Sequence, residues 1–189
     1  DNVRRDMLYL LLKKIEDKKI QGVFAELGVY QGSTAKLIHH YAPNREIYLF
    51  DTFKGFTKEG VNIENKKTGK IYQSKQFSDT SVAAVMKYIK PQNKNINICQ
   101  GLFPVSLTDN HYELKFAFVH IDADLYKPIF DGLEFFYPRL SQGGFILVHD
   151  YHAWPGAFEA VNNFSVKNNI SFIPMPDKSG SVVFIKNEE

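Results

Sequence analysis

With 189 residues, 44% hydrophobic and 23% charged side chains, the chain has room for one domain over 1–189 with a substantial core, and is too short for two ordinary ones. A formal net charge of only +2 excludes broad electrostatic attraction to nucleic acid or to an anionic membrane. The single cysteine, Cys99, excludes an intrachain disulfide and fits a reducing, cytoplasmic setting; neither a signal peptide nor an apolar run near the ~20 residues of a membrane span is expected.

In chain order, Met7, Leu8, Leu11, Leu12 and Ile15 recur at helical spacing and predict a helix over 3–18 within an N-terminal segment 1–20. A strand over 22–26, a glycine-bearing turn and a helix over 32–41 follow, then a strand over 46–51. Residues 53–78 are rich in Lys, Asn and Gly with weak periodicity, as in a lid or other mobile connection. A helix over 79–90 has Asp79 or Thr80 as its N-cap and Pro91 beyond its end. Strands are predicted at 95–99 and 116–121, a helix over 126–140, and a strand over 145–148 after Gly143-Gly144. A last helix, 156–168, leads to strands at 170–173 and 181–186. Strands alternating with helices imply an α/β fold, its mostly parallel sheet covered on both faces. Ligands in such folds bind at the carboxyl ends of the strands, near the reversal of strand order. Four strands there end on acids: Glu26, Asp51, Asp122 and Asp150.

The first acid opens Glu26-Leu-Gly28-Val-Tyr-Gln-Gly32-Ser33-Thr34. This is neither the Gly-x-Gly-x-x-Gly of dinucleotide binders nor a lysine-bearing phosphate loop. Glycines let a ligand approach the backbone, and a helix starting near Gly32 offers free N–H groups to an anion. An acid just before the first glycine suits an amine. On its own the stretch is equally a tight turn with a helix cap. Asp51, 25 residues on, is placed to accept both ribose hydroxyls. An amine, a carboxylate and a ribose together describe S-adenosylmethionine.

The stretch FAFVHIDADLYKP, 116–128, poses a different problem. Asp122 and Asp124 would share a face of an extended chain, where two unshielded carboxylates repel. Either a cation or proton sits there, or the chain turns between them. Two plain readings compete with any chemistry: Asp124 as N-cap of a helix beginning at Leu125, with Pro128 in its first turn, and Asp122 as a strand-end acid on backbone amides. His120, between Val119 and Ile121, reads as a satisfied interior histidine, and His39, His40 and His111 as surface residues. Phe135-Phe136-Tyr137 reads as core, and Lys58, Lys66, Lys67 and Lys70 as a solvated face.

The segments FAELGVYQGSTAKLI, IYLFDTFKGF, GLFP, HIDADLY and GGFILVHDY, in this order, resemble the macrocin O-methyltransferase (TylF-type) family of S-adenosylmethionine-dependent sugar O-methyltransferases. The resemblance runs from about Arg4 to Tyr151. It implies a Rossmann-like class I methyltransferase with a mostly parallel seven-stranded sheet, helices on both faces and an antiparallel last strand. By the same resemblance Asp122 and Asp150 bind a divalent metal, normally magnesium, and Asp124 is the general base. Thr52, Phe53 and Gly101 join Glu26, Gly28, Gly32, Ser33 and Asp51 around the cofactor, and Phe56 borders the same pocket. The long connection would close over a small-molecule acceptor, a sugar or glycoside hydroxyl, and a homo-oligomer could form through the N-terminal segment. One position departs: His149 stands where better-known members carry an acid. Either it coordinates and shifts metal preference, or it lies behind the ligands; a zinc set of His149, Asp150 and His152 is the less fitting option. Two other functions compete. One is a catechol-type O-methyltransferase for a flat aromatic acceptor; the other is a non-catalytic module binding a nucleotide or metabolite. Without a basic stripe interleaved with aromatics, a nucleic-acid methyltransferase is not expected.

Overall fold

The apolar runs read as strands do assemble into one sheet. The computed structural model describes residues 1–91 and 95–187. Its strands are β1 (Val23–Leu27), β2 (Ile47–Asp51), β3 (Ile96–Gln100), β4 (Phe116–Ile121), β5 (Leu140–Val148), β6 (Ile173–Pro174) and β7 (Val182–Ile185), in the order β3-β2-β1-β4-β5-β7-β6. The pairings from β3 through β5 are parallel, whereas β7 runs antiparallel to both β5 and β6. The chain moves outward from β1 to β3 and then returns to β4 on the other side of β1. This reversal leaves a crevice at the carboxyl ends of β1 and β4.

The helices are α1 (Asn2–Asp17), α2 (Ser33–Tyr41), α3 (Lys58–Thr68), α4 (Val82–Ile89), α5 (Asp109–Tyr112), α6 (Tyr126–Phe136) and α7 (Pro155–Asn168). Side chains alternate across a strand, and β5 shows the consequence. Ile146 and Val148 join the core under α6 and α7, with Ile129, Leu133 and Phe164. Phe145 and Leu147 join the opposite core under α1, α2 and α4, with Leu12, Ile38 and Val85. Every residue of β4 is buried, as a central strand covered on both faces must be.

Several boundaries move for identifiable reasons. The expected connection at 53–78 contains α3, organised by two buried residues, Val61 and Glu64, and closed by Thr57 and Gly69 as caps. The cap of α4 is Ser81, whose side chain accepts the Ala84 N–H. Asp79 and Thr80 are used otherwise, Asp79 accepting from the Tyr30 hydroxyl and Thr80 donating to the Tyr30 carbonyl. The helix expected to reach 140 stops at Phe136, and a tight turn over Tyr137–Arg139 leads directly into β5. Gly143 and Gly144 therefore lie inside that strand, where a Cβ on Gly144 would come 2.8 Å from the Ala117 carbonyl oxygen. Among the described residues no helix is long and apolar enough to cross a membrane.

Candidate functional site

The carboxyl ends of β1, β2 and β4 border a cavity of about 500 Å³. Its wall includes Glu26, Gly28, Ser33, Asp51, Thr52, Phe56, Gly101, Asp122, Asp124 and Asp150. Gly28 has φ of 87°, and a Cβ there would lie 2.0 Å from the Asp122 carbonyl oxygen. The glycine is demanded by contact between the ends of β1 and β4, independently of any ligand. Gly32 caps α2 in the left-handed region but is buried against Val85; the residues after it, Ser33 and Thr34, face the cavity. Gly101, with φ of 150°, meets Ser106 where its Cβ would be.

Asp51 arranges the turn after β1. Its Oδ2 accepts the N–H groups of Val29 and Tyr30 at 2.7 and 2.9 Å, and its Oδ1 accepts that of Phe53 at 2.7 Å. Phe53 contributes this amide, but its ring is 4% exposed and belongs to the core, so the side chain does not border the cavity as expected. Glu26 is 1% exposed. Its Oε1 sits 3.0 Å from His120 Nδ1, the satisfied interior histidine anticipated from sequence, while its Oε2 is buried without a partner among the described residues. Burial raises the Glu26 carboxyl above its ordinary range, and His120 opposes that rise. A buried acid oxygen on the cavity wall is suited to a ligand ammonium.

At the other end of the crevice, the Asp122 N–H bonds to the Leu27 carbonyl and the His149 N–H to that of Ile121. These bonds carry the sheet register past the strand ends and bring Asp122, His149 and Asp150 together, with potential ligand atoms all within 4.8 Å of one another. His149 Nδ1 lies 3.0 Å from Asp122 Oδ1 and 3.1 Å from Asp150 Oδ1. Burial lowers the proton affinity of His149, but the hydrogen bonds to the two carboxylates outweigh it and raise its pKa to about 9. Burial alone would raise Asp122; the bond from His149 instead holds it below its ordinary value. The imidazolium thus stands as a cation between two acids, and its Nε2 is buried without a partner among the described residues.

Asp124 is 8% exposed at φ of 59°, so the chain does turn after Asp122. Burial, followed by the charges of Asp122 and Asp150, raises the Asp124 carboxyl well above its ordinary value. The capping role is not observed. Leu125 caps α6 without a side-chain bond, and the first helical N–H, of Tyr126, goes to Glu64 Oε2 at 3.0 Å. Sequence reasoning missed Glu64. Its only signal is its place three residues after Val61, on the buried face of a helix otherwise rich in polar side chains.

Of the aromatic side chains in 53–78, Phe56 and Phe77 line the cavity. Tyr72 stacks on Trp154 with centroids 4.7 Å apart, and Phe56 contacts both Trp154 and Phe77. His152 stands apart from the acid cluster, exposed and packed on Gly180, which removes the third ligand of a zinc set. One histidine read as a surface residue is not: His39 is 6% exposed. His111 is half-buried and bonds Cys99 at 3.3 Å. Asp122, Asp150 and His149 offer two carboxylate oxygens and an imidazole, a set able to hold a divalent cation if the cation replaces the proton on Nδ1.

Comparison with known proteins agrees with this architecture. The chain is 24% identical over 164 residues to demethyldecarbamoylnovobiocin O-methyltransferase of Streptomyces niveus, covering 80% of this chain and 61% of that protein. It is 25% identical over 194 residues to an 8-demethyl-8-(2,3-dimethoxy-alpha-L-rhamnosyl)-tetracenomycin-C 4'-O-methyltransferase of Streptomyces olivaceus, covering 96% and 72%. The chain therefore spans roughly three fifths to three quarters of the length of these relatives. The structure of the O-methyltransferase NovP superimposes with a TM-score of 0.84 at 20% identity, over 98% of this chain and 80% of the other. The profile of the family described as Macrocin-O-methyltransferase (TylF) matches residues 2–186. With the family pattern spanning nearly the whole described chain, this protein belongs to the macrocin O-methyltransferase (TylF) family.

Proposed function

We propose that this protein is an S-adenosylmethionine-dependent O-methyltransferase that methylates a hydroxyl of a sugar or glycoside with the help of a divalent cation, magnesium being the expected ion. The observation that carries the reading is Asp124. It is a buried carboxyl of raised proton affinity on the wall of the cavity that also contains Glu26 and Asp51. The sugar class is supported by the relative named for a rhamnosyl compound.

In this reading the unpartnered Glu26 Oε2 receives the donor's ammonium. Asp51, with one lone-pair site left on Oδ1 after its three amide bonds, receives a ribose hydroxyl. Ser33 and Thr34 at the start of α2, with Thr52 and Gly101, complete the cofactor wall. Asp124 takes the proton of the acceptor hydroxyl, and its raised affinity suits a base that must hold that proton once it is transferred. As the oxygen–methyl bond forms, the sulfur–methyl bond breaks and its electron pair stays on sulfur. The products are a methyl ether, a neutral thioether and a protonated Asp124. A cation bound by Asp122, Asp150 and His149 would supply Lewis-acid polarisation of the hydroxyl. Residues 53–78 act as the lid that excludes water. Self-association through α1, where Tyr9 and Leu10 are exposed, and a cytoplasmic setting belong to the same reading.

Calorimetric titration with S-adenosylhomocysteine, followed by turnover of sugar and catechol acceptors with magnesium or chelator, tests it. Micromolar binding with turnover of a sugar and not of a catechol is expected. Absence of binding would remove the methyltransferase reading, and turnover of catechol alone would transfer it to the aromatic class.

A further inference from the structure

Glu64 is a buried acid that the methyl-transfer chemistry does not use. It is 1% exposed, and a buried carboxylate is costly unless something receives it. Its Oε2 accepts the Tyr126 N–H at the start of α6. Its Oε1 makes no hydrogen bond among the described residues but packs against the first turn of α7, where a Cβ on Gly156 would come 2.2 Å from it. Lys67, on the same face of α3, repeats this double engagement. Its Nζ is 2.6 Å from Glu159 Oε1 on α7 and 3.5 Å from the centre of the Tyr126 ring on α6.

Those two helices follow the turns that carry Asp124 and Asp150. Both acids hold left-handed backbone, at φ of 59° and 56°, a strained conformation that persists where the surroundings enforce it. Helix α6 has no side-chain cap of its own. An acid borrowed from α3 therefore satisfies the first amide of α6, two residues after Asp124, and the same acid abuts the helix that follows Asp150.

We propose that Glu64 is a positioning residue: carried on α3, its carboxylate clamps the N-termini of α6 and α7 and thereby fixes the turns that present Asp124 and Asp150. Its effect on rate rests on the methyl-transfer reading; its effect on the two turns does not. Hydrogen–deuterium exchange and kinetics on the full chain, for wild type, Glu64→Ala, Glu64→Gln and Gly156→Ala, test both. Exchange in peptides covering 122–128 and 150–157 should accelerate about tenfold in Glu64→Ala and in Gly156→Ala, whose new methyl wedges the carboxylate away, while 27–33 stays unchanged. Glu64→Gln, which keeps a carbonyl acceptor for Tyr126, should stay near wild type. In Glu64→Ala kcat on the acceptor should fall about tenfold or more, as expected for a displaced reacting group, with S-adenosylhomocysteine affinity held within about twofold. Faster exchange confined to 57–77, or an unchanged kcat in folded Glu64→Ala, would overturn the clamp. If Glu64→Ala does not fold, Gly156→Ala decides by the same measurements. Should wild type methylate no acceptor, the methyl-transfer reading fails, and the exchange data still decide the clamp.

Discussion

At the ends of β1 and β2, Asp51 takes three backbone N–H bonds and Glu26 is bonded to His120. At the ends of β4 and β5, Asp122 and Asp150 flank one imidazole and Asp124 feels the charge of all three; Asp124 and Asp150 sit on left-handed backbone. The first region is largely served by its own protein and is pre-shaped for a ligand. The second carries charge and strain that only a proton, a cation or a substrate relieves. Concentrated perturbation of this kind marks where chemistry is expected, while a cradle held by backbone N–H bonds, with one buried carboxylate oxygen left open, marks binding.

Substituting Asp124 separates the two regions most strongly. Asp124→Asn should lower turnover about 10³-fold, within the range for loss of a general base, and leave S-adenosylhomocysteine affinity nearly unchanged by calorimetry. A parallel loss of affinity would mean that the regions are not distinct. Gly28→Ala joins them instead, since the new Cβ would strike the Asp122 carbonyl. It should cost about 2–4 kcal/mol in urea unfolding and weaken both cofactor binding and turnover; unaltered stability would show that the strand ends can separate freely.

Protons and cations sharpen the comparison with a smaller effect. The folded pKa of His149, about 9, lies above its ordinary 6.5, so the stability it contributes is full below pH 6.5 and is lost as pH rises through 9. The raised Asp124 carboxyl acts in the same direction, from its ordinary 3.8 upward. Chelated protein should therefore melt progressively lower from pH 6.5 to 9.5, by a few degrees. Magnesium or manganese should restore more at the alkaline end, where the Nδ1 proton is easily displaced. A flat profile under chelation would contradict the imidazolium bridge. The smallest effect expected is at Glu26: Glu26→Gln should weaken S-adenosylhomocysteine about tenfold, the scale of one charge-assisted hydrogen bond, with the pH profile of turnover unmoved.

Much of this was legible from residue order. Apolar runs of strand length alternating with helical periodicity lead to the α/β sheet, because those periods are set by backbone geometry. Glu26, Asp51, Asp122 and Asp150 stood out as acids ending apolar strands, and all four border the cavity. Glu64 did not stand out, because among Lys66, Lys67 and asparagines an acid reads as solvated; only the approach of α6 and α7 buries it. Phe53 misled for the converse reason, since its neighbours in sequence face the cavity and its own ring turns inward.

By itself, then, the sequence determined the order of elements and which strand ends bear acids, since both follow from local periodicity and residue chemistry. The tertiary structure decided what those acids are to one another. It set His149 between Asp122 and Asp150, put Glu64 rather than Asp124 on the first amide of α6, and made Gly28 the contact between two strand ends. Each of these depends on distances between segments remote in the chain, and electrostatic and steric energies follow distance in space.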